Sequence, residues 1–177
     1  LQSFPFDRIK IDRSFIADIV DGAGSRNIVR AVIGIAKGMG MNVVAWNRTP
    51  RSGTTVPLVE LDALLQDSDV VSLNLTLSDE TRGFLGAERI ARMRRGVILV
   101  NTARGALVDE TALIAALQSG QIRHAGLDVF HNEPLKADHP LARLDNVTLS
   151  AHAAFRTSEA SMTLLRRAID IVRKVQV

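Results

Sequence analysis

An α/β fold, a doubly wound parallel sheet in a single domain, is predicted by three features of these 177 residues. Short runs rich in Val, Ile and Leu alternate along the chain with segments of helical period. Several of the runs, 97–100 among them, are apolar at every position, as strands covered on both faces are. Glycines stand where the helical segments stop, and strand–helix–strand alternation of this length closes into parallel crossovers.

In chain order, strands are expected at residues 6–11, 42–46, 54–56, 70–73, 97–100, 125–129 and 147–149. Helices are expected at 26–39, 58–66, 87–93 and 110–118, with a last one over 158–175 capped by Thr157 or Ser158. Gly40, Gly96 and Gly120 fall at helix ends and suit left-handed C-terminal caps.

Composition narrows the function classes. The chain is 46% hydrophobic and long enough for one core, so residues 1–177 are expected to form one domain. No apolar run reaches the roughly 18 residues of a membrane span, and the start, LQSFPFDRIKID, lacks the basic-then-apolar layout of a secretory signal. A cytoplasmic protein with no membrane partner is therefore expected. With no cysteine, disulfides, thiolate catalysis and Cys-type zinc sites are excluded, so redox chemistry would need a bound cofactor. Net charge is +3, and the arginine cluster Arg89, Arg92, Arg94 and Arg95 reads as a solvated helix end whose cations suit the dipole. Aromatics make up 4% of the chain with no basic stripe among them, so no nucleic acid partner is expected.

Three stretches carry a family resemblance: VNTARGALVDETALIAAL at 100–117, GLDVFHNEP at 126–134 and LSAHAAF at 149–155. DSDVVSLNLTLSDETRGFLG at 67–86 fits ahead of them. From about residue 41 to 177 the chain resembles the nucleotide-binding domain of the D-2-hydroxyacid dehydrogenases of the glyoxylate/hydroxypyruvate reductase type, in order and spacing throughout. The resemblance implies a Rossmann-like fold with Arg104, Glu133 and His152 as catalytic residues. Arg104 would hold the substrate's carboxylate or carbonyl oxygen with its planar charged fork. His152 would exchange a proton with the substrate oxygen, and Glu133 would orient the imidazole and favour its protonated form. Asp128 and the backbone around Thr102 and Ala103 would lie near the nicotinamide. Without the resemblance, His152 reads as a strand-end histidine and Glu133 as a turn residue. His124, His131 and His139 match no motif of the family, and their spacing suggests no metal cage.

At the end of the second strand, NAD-preferring folds of this kind place an acidic residue on the ribose hydroxyls. Here stand Asn47, Arg48 and Thr49, which points to NADP rather than NAD, with Arg48 facing the extra phosphate; an exposed turn arginine holding no ligand is the alternative. No metal is expected.

The front of the chain departs from this pattern. The family places a strand, a G-x-G-x-x-G turn and a helix before the second strand, because backbone amides must approach a diphosphate. Residues 1–45 instead resemble a strand–helix–strand fragment of an EAL domain, the TIM-barrel family that hydrolyses cyclic di-GMP, in FPFDRIKIDRSFIADIV and SRNIVRAVIGIAKGMGMNVVA. The EAL signature and paired metal-binding aspartates are missing and only Lys10 matches that family's site, so phosphodiesterase activity is not expected. Gly22, Ala23 and Gly24 offer a helix entry short of the third glycine. Alternation sets Arg8 and Lys10 on one side of the first strand, where burial of an unpaired ion costs several kcal/mol. Partial exposure, salt bridges or a domain-swapped homodimer would relieve this. The expectation is thus a non-catalytic chimeric or engineered Rossmann-like domain, its first βαβ unit a TIM-barrel-like fragment that replaces the cofactor loop. Lack of a second domain to close over the site supports that inactivity. The alternative is an NAD(P)-dependent oxidoreductase of a small 2-hydroxy or 2-keto acid such as glyoxylate or hydroxypyruvate.

Overall fold

The computed structural model describes residues 33–34, 36–49, 54, 56–153 and 162. Its centre is a parallel four-stranded sheet, β1 (Val70–Leu73), β2 (Val97–Asn101), β3 (Ile122–Leu127) and β4 (Val147–Leu149), ordered as numbered. Helix α1 (Leu61–Asp67) precedes β1, while α2 (Ala87–Arg92) and α3 (Glu110–Gln118) make the β1–β2 and β2–β3 crossovers. A 3-10 turn, Pro140–Arg143, lies between β3 and β4.

The pleat sorts the apolar strands into two faces. Val71, Leu73, Val97, Leu99, Ile122, Ala125 and Leu127 are buried against Leu64, Leu65, Ile90, Leu113, Ala116 and Leu117 of the three helices. Ile98 and Val100 point to the opposite face and are half-buried. Helix α3 starts at Asp109, whose carboxylate accepts the Ala112 N–H at 3.0 Å, and buries Leu113, Ala116 and Leu117 at helical spacing. The arginine cluster ties elements together rather than simply facing water: Arg92 pairs with Asp62 of α1 and Glu88 of its own helix, and Arg94 with Asp69. Gly40, Gly96 and Gly120 have φ of 76, 81 and 70°, as left-handed caps require.

The strands expected at 70–73 and 147–149 and the helix at 110–118 stand as read. β3 begins three residues early and ends at Leu127, where the Asp128 amide still donates to the Asn101 carbonyl as the last bond of the parallel ladder. Among the described residues the stretch 42–46 makes only an isolated parallel bridge, Ala45 with Leu58, and positions 54 and 56 are not strand. The same bridge holds Leu58 extended, which delays α1 from the expected 58 to Leu61. Positions 33, 34 and 36–38 are helical, as expected. The strand at 6–11 with Arg8 and Lys10, the Gly22–Gly24 turn and the helix at 158–175 lie outside the described residues.

Because all four strands run the same way, their carboxyl ends meet at one edge. Leu73, Asn101, Leu127 and Leu149 form a single cross-strand row. The loops that leave this row carry Thr102 to Arg104, Asp128 to Glu133, and Ser150 to His152. In open parallel sheets this edge is where ligands bind.

Candidate active site

The first loop is shaped by Asn101, which is 1% exposed. Its Oδ1 accepts the Ala103 N–H at 3.1 Å and its Nδ2 donates to the Arg104 carbonyl at 3.0 Å, a side-chain turn that bends the chain sharply off β2. Thr102 and Arg104 are left exposed on the bend, with the Arg104 guanidinium donating to the Ala103 carbonyl at 2.6 Å. Gly105 then passes against the loop after β3: a Cβ there would stand 2.2 Å from the Phe130 carbonyl carbon and 2.7 Å from the His131 nitrogen. The arginine loop is therefore locked to the loop that bears Glu133.

The second and third loops meet through carboxylates. Buried Asp128 accepts the Ser150 hydroxyl and, at 2.8 Å, the Ala153 N–H. These two bonds bracket His152, whose φ of 50° is left-handed and rare for a side chain of its size. Glu133 folds back so that Oε1 accepts the Phe130 N–H at 3.0 Å, and its Oε2 faces His152 Nδ1 at 2.8 Å. With Nδ1–H donating to the carboxylate, Nε2 is the ring nitrogen turned from Glu133.

The bond from His152 and the bond from the Phe130 amide hold the Glu133 carboxyl below its ordinary 4.5, with the charges of His152 and Arg104 acting the same way and partial burial opposing them. A carboxylate depressed on folding contributes stability in full above its ordinary value and loses it as pH falls through the lower one. In a carbon-13 NMR titration, Glu133 should titrate below 4.5 in the parent chain and move up toward it in His152→Ala. An unmoved midpoint would contradict the pairing.

At the other end of the edge, Asn47 closes a turn by donating to the Thr49 carbonyl at 2.8 Å, and the Arg48 guanidinium pairs with the Glu80 carboxylate. Trp46 stacks on Phe84 at 5.4 Å between centroids, and Arg89 sits 4.2 Å over the same ring. The remaining histidines have structural partners: His124 with the Thr148 hydroxyl, His131 with the Val108 carbonyl, His139 with Glu110. Among the described residues no group of three or more acidic or His side chains could hold a metal, and no helix is long and apolar enough to cross a membrane.

The geometry at hand is an imidazole–carboxylate pair and an exposed guanidinium at the carboxyl edge of a parallel sheet. The profile of the family described as D-isomer specific 2-hydroxyacid dehydrogenase, NAD binding domain, matches residues 20–154. The chain belongs to that family. A glyoxylate reductase of Korarchaeum cryptofilum is 44% identical over 140 residues, 77% of this chain and 42% of the relative. A glyoxylate/hydroxypyruvate reductase B of Escherichia coli is 49% identical over 111 residues, 63% of this chain and 34% of the relative. The crystal structure of a D-isomer specific 2-hydroxyacid dehydrogenase of Xanthobacter autotrophicus in complex with NADPH and MES aligns with a TM-score of 0.64 at 42% identity, covering 74% of this chain and 42% of that one. The chain thus spans less than half the length of these relatives.

These matches correct the expectation of a non-catalytic chimera. That expectation rested on the incomplete glycine turn, but the family match begins at residue 20 and runs through the turn. Helix-terminal amides offer themselves to phosphate even where a glycine has been replaced, so one position weighs less than the whole pattern. The match also reaches back over residues 20–40, which had been assigned to the barrel fragment alone.

The edge fits a nicotinamide dinucleotide by the chemistry of its groups, with the imidazole–carboxylate pair and Arg104 at one end and Arg48 at the other. Four residues that shape it were missed from the sequence: Asn101, Gly105, Ser150 and Glu80. For Asn101 a signal existed, since an Asn at the end of an apolar strand favours a side-chain turn. Gly105 and Glu80 act through contacts 25 and 32 residues away in the chain, and no local pattern marks them.

Proposed function

We propose that this chain carries the cofactor-binding and proton-transfer part of an NAD(P)-dependent dehydrogenase that reduces a small 2-keto acid, glyoxylate or hydroxypyruvate, to its 2-hydroxy acid. The supporting observation is the 2.8 Å pair of His152 and Glu133 on the edge that also presents Arg104. A bound reduced nicotinamide would supply the hydride to the carbonyl carbon. His152 Nε2 gives its proton to the carbonyl oxygen as that oxygen becomes a hydroxyl. Glu133, kept ionised, steadies the imidazolium through Nδ1–H and fixes the ring. Arg104 holds the substrate carboxylate with its planar fork. Thr102, Ala103 and Asp128 border the nicotinamide, Asp128 with its carboxylate turned to the His152 loop, while Asn47, Arg48 and Thr49 border the adenosine ribose.

The same proposal takes the whole chain as one domain of a cytosolic homodimer. The first strand–helix–strand unit expected over residues 1–45 is the element such a dimer would exchange. The test is glyoxylate-dependent oxidation of NADPH by the purified chain, followed by absorbance. Turnover that needs both reactants is expected; none with either keto acid would overturn the proposal.

A further inference from the structure

We propose that Glu80 sets the balance between NADP and NAD by competing for Arg48. This rests on the nucleotide reading above and adds a residue to it. Arg48 follows the segment whose Ala45 bridges to Leu58 ahead of α1, on a turn that Asn47 closes. Its guanidinium is met by the carboxylate of Glu80, with the two side chains 60% and 75% exposed. Glu80 is displayed by a firm scaffold: buried Thr81 accepts the Ser78 N–H at 2.8 Å and donates to the Thr76 carbonyl at 2.7 Å. The Trp46–Phe84 stack, backed by Arg89, fastens that loop to the segment that carries Arg48.

Two chemistries therefore share one spot. A ribose 2′-phosphate needs the guanidinium, whereas an unmodified ribose diol needs a carboxylate that accepts its hydroxyls. Glu80 stands against Arg48 as an intramolecular anion, so a 2′-phosphate must displace it and then bears its repulsion. NAD meets no such opposition and can donate to Glu80 directly. Because the pair is exposed, the exchange is cheap and both cofactors are admitted.

The test is calorimetric titration of the full chain and of E80Q, R48A and the double variant with NADPH and with NADH. For E80Q, NADPH should bind roughly 1.5- to fivefold more tightly while NADH binding holds or weakens, the size expected of an exposed ion pair released. R48A should lose the preference for NADPH, and adding E80Q to it should give no further gain for NADPH. If both cofactors bind but E80Q leaves their ratio unchanged, or shifts it equally without Arg48, Glu80 is not the competitor and only this proposal falls. If the parent chain binds neither cofactor, the nucleotide reading falls and takes this one with it.

Discussion

Replacing His152 by alanine is expected to slow glyoxylate reduction by roughly 10²- to 10⁴-fold while leaving NADPH binding intact, the span usual for loss of a positioned general acid. The carbonyl oxygen gains negative charge as hydride arrives, and a positioned imidazolium can give it a proton at that moment. His152 is held by three separate contacts: Glu133 at Nδ1, and the bonds that the Ser150 hydroxyl and the Ala153 N–H donate to Asp128 on either side of it. Glu133→Gln should have a smaller effect of a different kind. It keeps a hydrogen-bond acceptor but removes the charge, so kcat should fall while NADPH binding holds, as the developing charge on the ring loses its partner. Arg104→Ala should act on KM as well as kcat, since a substrate carboxylate is held before and during transfer. A His152→Ala chain that turned over within a few-fold of the parent would place the acid elsewhere.

Gly105→Ala is expected to cost at least about 2 kcal/mol of folding stability, the upper part of the range for forcing atoms into a filled site. The new carbon would lie 2.2, 2.4 and 2.7 Å from the Phe130 carbon, the Phe130 oxygen and the His131 nitrogen, all backbone. No rotamer change can clear backbone atoms, so the loops after β2 and β3 must part. Parting them moves Arg104 away from Glu133 and His152, so activity should fall further than stability alone explains. Urea melts report the first effect, and turnover measured well below the melting midpoint reports the second. An alanine chain as stable as the parent would mean that the close approach of these loops does not hold the site together.

Much of the sheet was legible because its strands are short runs rich in Val, Ile and Leu that end at polar or glycine-bearing loops. β1, β4 and α3 follow from that pattern alone, α3 aided by the Asp109 cap. The stretch 42–46 misled, since Val43, Val44 and Ala45 suit a strand, yet among the described residues only Ala45 finds a partner. Pairing is a property of two segments, and one of them cannot announce it. The proposed trio came from family motifs and not from residue chemistry: His152, Glu133 and Arg104 are ordinary surface types until the parallel register brings Asn101, Leu127 and Leu149 into one row. Local reasoning also gave too much weight to one missing glycine, although amides at a helix start bind anions by their direction.

The central claim is that the carboxyl edge of this sheet receives a nicotinamide dinucleotide with its reactive ring beside His152. Amide NMR spectra of the chain recorded as NADPH is added test it directly. Saturable shifts are predicted at Arg48, at Thr102 and Ala103, and at Asp128 and His152, two ends of one ligand moving with a single affinity. Spectra that stay unchanged to millimolar cofactor, or shifts gathered away from this edge, would contradict it.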